Sequence, residues 1–233
     1  MDIAGQKVLV TGGSAGIGKA TAAALVAAGC KVVINGRNEE SLKAAAAELG
    51  CVGIAGDVGE EADAKRIVSE TVDQLGGIDV LVNNAGFGRF GMLVELEAHD
   101  METVWRTNVL GAMFMGREVA KRLVEQRSGT IINIASTAAT KGFAGGTAYA
   151  SSKFALRGMS ECWREELRRH DVRVVLINPS EVITEFASRA GLNQEASEKK
   201  LQPEEIAHAV VSAIAMDPRG FVSELTVIAT NPF

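Results

Sequence analysis

The sequence alternates short, continuous apolar runs with longer amphipathic stretches. The apolar runs, which predict strands, cover residues 8–11, 31–35, 52–55, 79–82, 130–135, 172–177 and 225–229. The amphipathic stretches, which predict helices, cover residues 19–28, 39–49, 60–75, 100–126, 148–170 and 203–216. Strands that are apolar on both faces are typical of a parallel sheet covered on both sides. The alternation therefore predicts an α/β fold, with a doubly wound parallel sheet of about seven strands flanked by helices on both faces.

A single domain spanning residues 1–233 accommodates this pattern, because no internal repeat, low-complexity tract or linker interrupts it. Hydrophobic residues make up 47% of the chain, enough for a substantial core. The polar segment 185–202 carries no strand signal. We interpret it either as a substrate flap or as an ordinary surface loop.

Charge and residue usage exclude several function classes. The net charge of -5 and the lack of a long Lys/Arg run argue against nucleic-acid binding. No apolar stretch of about 20 residues predicts a membrane span, and residues 1–7 lack a secretory signal. The widely spaced cysteines Cys30, Cys51 and Cys162 indicate free thiols in a reducing cytoplasm. The three histidines are far apart in sequence, so we expect no bound metal.

A glycine-rich turn, TGGSAGIG, joins the first predicted strand to the first predicted helix at residues 11–18. Glycines let a ligand approach backbone N–H groups, and the helix N-terminus that follows favours a phosphate. A turn after the first strand of a βαβ unit is where the dinucleotide-binding fingerprint occurs. We therefore expect cofactor contacts from Gly12, Ser14, Ala15, Gly16, Ile17 and Gly18.

The same turn also fits the G-x-S-x-G pattern of a serine-hydrolase nucleophile elbow, with Ser14 as the nucleophile. Such an elbow needs an upstream loop to supply half of its oxyanion hole, and only 13 residues precede Ser14. We place the hydrolase alternative behind the dinucleotide site for this reason.

The end of the second predicted strand, Asn35-Gly36-Arg37, bears on the choice of cofactor. An NAD site usually has an acidic residue there, about 20 residues after the glycine turn, to bind the ribose 2′-hydroxyl. Here no acid occupies the tip, and the guanidinium of Arg37 suits a phosphate group. We predict a preference for NADP(H) over NAD(H), with Arg37 on the 2′-phosphate.

The chain contains one tyrosine, Tyr149, and Lys153 follows it by four residues. On a helix these two side chains share a face. An adjacent cation favours the phenolate and lowers the pKa of a tyrosine from about 10. A tyrosine tuned in this way can exchange a proton with a substrate oxygen. The spacing alone also fits a solvated helix face.

Taken in order, these features resemble the short-chain dehydrogenase/reductase family over essentially the full length of the chain. The matching positions are residues 11–18, Asp57 with Val58, residues 83–86, Asn108, Ser136, Tyr149 with Lys153, and Pro179 with Thr184. The resemblance implies a Rossmann-like fold and an NADP-dependent oxidoreductase. Such an enzyme transfers hydride between nicotinamide and a ketone or secondary alcohol.

The resemblance also implies a role for each matching position. Ser136 would hydrogen-bond the substrate carbonyl, Tyr149 would act as general acid or base, and Lys153 would bind the nicotinamide ribose and lower the pKa of Tyr149. Asn108 would distort its helix and hold a water that links Lys153 to solvent. The other positions would contact the cofactor: Asp57 and Val58 at the adenine, Asn84, Ala85 and Gly86 along the floor, and Pro179 and Thr184 near the nicotinamide amide.

Substrate contacts are expected from loops at the carboxyl ends of the strands, where open α/β sheets bind ligands. These loops contain Phe87, Arg89, Phe90, Phe143 and Phe186. An apolar pocket with one guanidinium would suit a carbonyl compound bearing a carboxylate or another polar tail. The alternative is that Arg89 faces solvent.

Two departures from the family pattern bear on the substrate. Pro179-Ser180 stands where Pro-Gly is usual, and residues 226–233 lack the glycine-rich ending of tetrameric β-ketoacyl reductases. Residues 223–226 and 231–232 resemble 3-hydroxy-acid dehydrogenases, whereas residues 84–91 and 138–143 are similar to sepiapterin-reductase-like members. Four alternatives therefore stay open. They are a 3-oxoacyl-[acyl-carrier-protein] reductase, a 3-hydroxy-acid dehydrogenase, a sepiapterin-reductase-like enzyme and a catalytically silent NADP(H)-binding sensor.

Both long predicted helices carry apolar stripes, with Trp105 and Met113 on one and Phe154 and Trp163 on the other. Core packing explains most of these positions, but the equivalent helices of similar proteins pair between subunits. We expect a homodimer or homotetramer that acts on a small molecule, without a nucleic-acid or membrane partner.

Overall fold

The computed structural model describes residues 1–186, 190–191 and 199–231. Much of the predicted 185–202 flap, and Pro232 of the C-terminal resemblance, lie outside the described residues. Within them, seven parallel strands form one sheet in the order β3-β2-β1-β4-β5-β6-β7. The strands are β1 Lys7–Thr11, β2 Lys31–Gly36, β3 Val52–Ala55, β4 Val80–Asn83, β5 Gly129–Ile134, β6 Val172–Pro179 and β7 Glu224–Val227. The predicted single α/β domain with a doubly wound, Rossmann-like sheet is confirmed.

The described helices lie close to their predicted positions. They are α1 Gly16–Ala27, α2 Glu39–Leu49, α3 Glu61–Leu75, α4 Ala98–Trp105, α5 Ala112–Gln126, α6 Thr147–Leu167 and α7 Pro203–Ile214. The N-cap of α2 is Asn38, whose Oδ1 accepts a hydrogen bond from Ser41 N at 2.8 Å. The predicted helix over residues 148–170 instead ends at Leu167 and continues as a 3₁₀ turn over Arg168–His170.

Alternate residues of each strand point to opposite faces of the sheet, and both faces are apolar. Val10 and Ile34 lie in the core on the side of α1 and α7. Leu9 and Val33 lie in the core on the side of α3 and α5. All four side chains are fully buried. The continuous apolar runs of the sequence are therefore explained by helices packed against both faces.

The predicted helix over residues 100–126 is interrupted at its centre. The segment between α4 and α5, Arg106–Gly111, is a π-helical turn. It contains Asn108, which is only 1% exposed. Gly111 lies against the loop between β3 and α3, and a Cβ on Gly111 would come within 2.8 Å of Val58 Cγ2. Such turns often occur at functional sites, and a helix distorted at Asn108 is what the family resemblance implies.

Strand β1 pairs with β2 on one side and with β4 on the other, so the strand order reverses at β1. Open α/β sheets bind ligands in the crevice at the carboxyl ends of strands beside such a reversal. In the described part of the chain, no helix has the length and apolar character needed to cross a bilayer. Among the same residues, no three His, Cys, Asp or Glu side chains are grouped as metal ligands.

Candidate active site

A cleft of about 1410 Å³ opens along the carboxyl edge of the sheet. It extends from the ends of β2 and β3, past the glycine turn after β1, to the ends of β4, β5 and β6. Every residue predicted for the cofactor, the substrate or the proton-transfer set lines this cleft except Gly18, Phe90 and Asn108. The sequence patterns thus identify one continuous surface rather than scattered positions.

The glycine turn after β1 lets a ligand approach the backbone. Gly12 and Gly16 have φ angles of 63° and 52°, in the left-handed region that favours glycine. A Cβ on Gly12 would come within 2.9 Å of Asn84 Nδ2, so there is no room for a side chain at this position. The N-cap of α1, Ala15, has no polar side chain to accept from the first-turn N–H groups. These donors face the cleft and suit a phosphate.

The turns after β1 and β4 are tied together through Thr11. Its Oγ1 accepts hydrogen bonds from the backbone N–H groups of Asn84 and Ala85, both at 3.0 Å. In return, Asn84 Nδ2 donates to Thr11 O at 2.9 Å and to Gly12 O at 3.2 Å. The floor of the cleft is therefore one cross-linked unit.

Arg37 and Asp57 form an ion pair at one end of the cleft. Arg37 NH1 lies 3.6 Å from Asp57 Oδ2, and the Arg37 side chain is 64% exposed. Asp57 is fixed in turn because its Oδ1 accepts a hydrogen bond from Gly59 N at 2.8 Å. Ser14 lies on the other side, since a Cβ on Gly36 would stand 3.3 Å from Ser14 Oγ. The guanidinium of Arg37 and the hydroxyl of Ser14 therefore lie at the same end of the cleft.

At the other end, helix α6 places Tyr149 and Lys153 on one face, as their spacing predicts. Lys153 Nζ lies 5.7 Å from the centroid of the Tyr149 ring and donates a hydrogen bond to Ile134 O at 2.9 Å. Ser136 follows β5, and its side chain is close enough to the Tyr149 hydroxyl to influence the pKa of that group. Ser136 Oγ also accepts from Ala138 N at 3.1 Å. Two hydroxyls and an ammonium thus share this part of the cleft.

Burial determines the acidity of both titratable groups here. It raises the pKa of Tyr149 to about 12, although the nearby Ser136 hydroxyl acts in the opposite direction. It lowers the pKa of Lys153 to about 8. The expectation that Lys153 lowers the pKa of Tyr149 is therefore wrong for this structure. Desolvation of the phenolate dominates, and the ammonium hydrogen-bonds the carbonyl of Ile134 instead.

Asn108 lies behind the cleft lining and holds the loop after β4. Its Oδ1 accepts from Phe87 N at 3.1 Å, and its Nδ2 donates to Phe87 O at 2.9 Å. The same Nδ2 donates to Ser152 Oγ at 3.0 Å, and Ser152 Oγ donates to Tyr149 O at 2.7 Å. Ser152 was not identified from the sequence as a site residue. The signal was its position three residues after Tyr149, which returns its hydroxyl to the same helix face.

The outer part of the cleft carries the remaining predicted residues. Arg89 is 54% exposed, and its Nε lies 3.6 Å from Asp100 Oδ1, so its guanidinium already has an anionic neighbour. Thr184 approaches the glycine turn, since a Cβ on Gly16 would lie 3.3 Å from Thr184 Cγ2. Pro179 ends β6, and Ser180 beyond it donates its backbone N–H to Val227 O at 2.9 Å.

The fold and the cleft together define a nucleotide-binding α/β protein. The sequence profile described as short chain dehydrogenase matches residues 6–195. The chain therefore belongs to the short-chain dehydrogenase/reductase family, whose members are oxidoreductases acting on alcohols and carbonyls. This assignment removes the serine-hydrolase alternative for Ser14.

Relatives and solved structures agree with the family. The chain is 34% identical over 210 residues to a human 3-oxoacyl-[acyl-carrier-protein] reductase, covering 87% of this chain and 88% of the relative. It is 33% identical over 236 residues to the sepiapterin reductase of Chlorobaculum tepidum, covering 96% of each. The closed form of a serine dehydrogenase complexed with NADP⁺ superimposes with a TM-score of 0.90 at 31% identity, covering 97% of this chain and 96% of that one.

Proposed function

We propose that the protein is an NADP(H)-dependent carbonyl reductase in which Tyr149 is the proton donor to the substrate oxygen. The observation that carries the proposal is that Ser136, Tyr149 and Lys153 line one cleft, with the buried ammonium of Lys153 5.7 Å from the centroid of the Tyr149 ring. Two hydroxyl groups aimed at one oxygen can stabilise the charge that develops on it. The raised pKa of Tyr149 keeps its proton in place at neutral pH, as a donor in the reductive direction requires.

When bound, reduced nicotinamide supplies the hydride that reaches the carbonyl carbon. Ser136 Oγ–H polarises the carbonyl by donating a hydrogen bond to its oxygen. Tyr149 O–H transfers its proton to the same oxygen, giving the alcohol, and the phenolate is reprotonated from solvent. Lys153 holds the nicotinamide ribose, the role that the family resemblance implies, while its ammonium also donates a hydrogen bond to Ile134 O. Asn108 positions the Phe87 loop and, through Ser152, the backbone at Tyr149.

The residues present fit an NADP(H) molecule. The left-handed Gly12 and Gly16 and the uncapped first turn of α1 form a cradle for a pyrophosphate. Arg37 after β2 and Ser14 in the glycine turn after β1 supply a cation and a hydroxyl suited to a 2′-phosphate. The NADP⁺ complex of the serine dehydrogenase supports the same preference. We assign Asp57 and Val58 to the adenine end, and Pro179 and Thr184 to the nicotinamide end.

The experiment that tests the proposal is a comparison of Tyr149→Phe with the natural protein. We expect kcat for NADPH-dependent ketone reduction to fall by a factor of about 100 or more. NADPH binding, measured by fluorescence titration, should be unchanged because the ring is retained. Ser136→Ala should give an intermediate loss, since one of two donors remains. Near-normal turnover by Tyr149→Phe would show that the proton donor is misassigned.

A dinucleotide sensor without turnover is the second candidate, because the same cradle would bind NADP(H). A panel of β-keto acids, β-ketoacyl thioesters, diketones and pterins with NADPH separates the two. These classes include the substrates named for the acyl-carrier-protein and sepiapterin reductase relatives. Oxidation of NADPH with any of them excludes the sensor and identifies the substrate class.

We also propose that the protein is a cytoplasmic homodimer or homotetramer. Apolar side chains are exposed at Leu110, in the π-helical turn before α5, and at Phe154 on α6, with 41% and 46% exposure. Paired helices from two subunits would cover them. Sedimentation as a monomer at micromolar concentration would contradict this assembly.

A further inference from the structure

Aromatic rings surround Tyr149 on the substrate side of the cleft. The ring centroids of Phe90 and Phe186 lie 5.6 Å and 5.3 Å from that of Tyr149. Phe90 lies 6.5 Å from Phe186 and 6.0 Å from Phe143, so the three phenylalanines form a connected set. We call Phe90, Phe143 and Phe186 the aromatic wall. Phe143 and Phe186 line the cleft beside Tyr149, so a carbonyl that reaches the Tyr149 hydroxyl lies next to this wall.

Two glycines provide the space that the rings occupy. A Cβ on Gly88 would come within 2.8 Å of the Phe90 ring and 3.0 Å of the Phe186 ring. A Cβ on Gly146 would come within 2.7 Å of the Phe143 ring. Both contacts are closer than ordinary packing allows, so any side chain at either glycine would displace a ring. The wall therefore depends on two backbone positions as well as on its own residues.

The cations Arg89 and Lys141 near the wall are both exposed. Arg89, the guanidinium expected to hold a polar tail, lies beside Asp100 at 3.6 Å. Lys141 is an exposed cation on the same loop as Phe143, at the edge of the cleft. Phe143 is 51% exposed, so its ring is open to a ligand in the cleft. A substrate beside Tyr149 therefore meets aromatic rings, at centroid distances of 5.6 Å and 5.3 Å from the Tyr149 ring for Phe90 and Phe186.

We propose that the aromatic wall selects carbonyl compounds that carry a flat, conjugated group directly beside the carbonyl, such as aryl ketones. The proposal rests on the proposed reductase function and narrows its substrate class. Pairs of aromatic rings prefer tilted or edge-to-face contacts at centroid distances of about 4.5–7 Å, and they gain stabilisation beyond the apolar area they bury. A saturated ring of the same size buries similar area without that gain.

The test compares two ketones that differ only in ring saturation, acetophenone and cyclohexyl methyl ketone, in NADPH-dependent reduction. We expect kcat/KM to favour acetophenone by about three- to tenfold, the range that an aromatic pair supplies. Phe90→Leu should bring the ratio close to unity. Phe114→Leu is the matched control, because that ring packs against Arg117 and is not in contact with the Tyr149 ring, as Phe90 is. Equal rates for the two ketones in the natural protein would overturn the proposal.

A second pair of variants moves the wall without removing a ring. Gly88→Ala pushes the flexible tips of Phe90 and Phe186, so the fold should tolerate it while the ketone preference falls. Gly91→Ala is the control in the same loop, because a Cβ there meets nothing within 4 Å. Loss of preference in both variants, or in neither, would contradict the assigned role of Gly88.

Binding provides a readout that is independent of turnover. Calorimetric titration of 1-phenylethanol and 1-cyclohexylethanol into the protein saturated with NADP⁺ should show tighter binding of the phenyl alcohol, and Phe90→Leu should remove the difference. If no carbonyl is reduced but the phenyl alcohol still binds more tightly, the reductase function is contradicted and selection by the aromatic wall is supported. If both ketones are reduced equally, selection by the aromatic wall is contradicted and the reductase function is supported.

The charge of the substrate is tested with benzoylformate and its ethyl ester, which share the phenyl ketone. We expect the ester to be reduced at least as well as the acid. A preference for the acid that disappears in Lys141→Ala would show that the cleft selects an anionic tail, and would overturn the assignment.

Discussion

The side chain of Asn108 binds both polar groups of one backbone residue, Phe87. Its Oδ1 accepts from Phe87 N, and its Nδ2 donates to Phe87 O. Asn108 lies in the π-helical turn between α4 and α5, and Phe87 lies in the loop after β4. The distortion of the helix is therefore directly coupled to the loop that carries part of the substrate side of the cleft.

Replacing Asn108 should destabilise the protein through these backbone groups. Asn108→Ala leaves Phe87 N–H and C=O without their side-chain partner, and we expect the free energy of unfolding to fall by about 1–3 kcal/mol. Asn108→Asp keeps an acceptor for the N–H but buries a carboxylate against Phe87 O, so it should lose at least as much. Urea unfolding monitored by circular dichroism measures both. An unchanged unfolding free energy in Asn108→Ala would show that solvent replaces the interaction.

Lys153 should make stability depend on pH. Burial lowers its pKa from 10.5 to about 8, so between these values the unfolded chain holds a proton that the folded chain has lost. Raising the pH then favours folding through this group, because the unfolded state binds more protons. We expect the stability advantage of Lys153→Met over the natural protein to shrink by about 2 kcal/mol between pH 7 and 9.5. Denaturant unfolding of both proteins at the two pH values measures this difference. A constant difference would mean that the ammonium is well solvated.

Arg37 should determine cofactor preference. An Arg–phosphate contact contributes about 1.5–3 kcal/mol, so Arg37→Ala should weaken NADPH binding by about tenfold or more and leave NADH binding nearly unchanged. Arg37→Asp should go further and favour NADH, because it restores the acid usual in NAD sites. Fluorescence titration with both cofactors measures the ratio.

Arg219→Ala is the matched control for this prediction. Arg219 is also an exposed arginine beside an aspartate, Asp217, but it does not line the cleft. The control should leave the NADPH to NADH ratio unchanged. If Arg37→Ala behaves in the same way, the 2′-phosphate is bound elsewhere.

A buried polar chain links three elements below the cleft. Asn83 Nδ2 on β4 donates to Asn133 Oδ1 on β5 at 3.0 Å, and Asn133 Nδ2 donates to Ser160 Oγ on α6 at 2.8 Å. Ser160→Ala leaves a buried amide donor unpaired, so we expect a loss of about 1–3 kcal/mol in unfolding free energy. Ser69→Ala, on the exposed face of α3, is the control and should be neutral or slightly stabilising. Equal stabilities for the two variants would contradict the role of the chain.

Most of the fold could be predicted from the sequence, because its strands are apolar on both faces and because capping residues or glycines mark the ends of several helices. Leu9 and Val10 show why: adjacent residues face opposite sides of the sheet, and both need to be apolar. The π-helical turn was not visible in the periodicity. It depends on a long-range contact between Asn108 and Phe87, and helix propensity reports only local preferences.

The site could be predicted as a set of positions, but not its electrostatics. The spacing of Tyr149 and Lys153 correctly placed both on one face of α6. It could not show that Lys153 Nζ would hydrogen-bond Ile134 O, or that burial would outweigh the attraction between the two groups. The sequence also did not predict the pairing of Arg89 with Asp100, because the two residues are 11 positions apart and a loop connects them.

The solitary phenol of this chain gives it a built-in spectroscopic reporter. Because Tyr149 is the one tyrosine present, the near-ultraviolet absorbance of phenolate in the whole protein comes from a single side chain. Isotope-labelled tyrosine would likewise yield the ring resonances of one residue, without any engineered probe. Ionisation of this group can therefore be followed directly while ligands enter the cleft, in a protein whose sequence has not been altered.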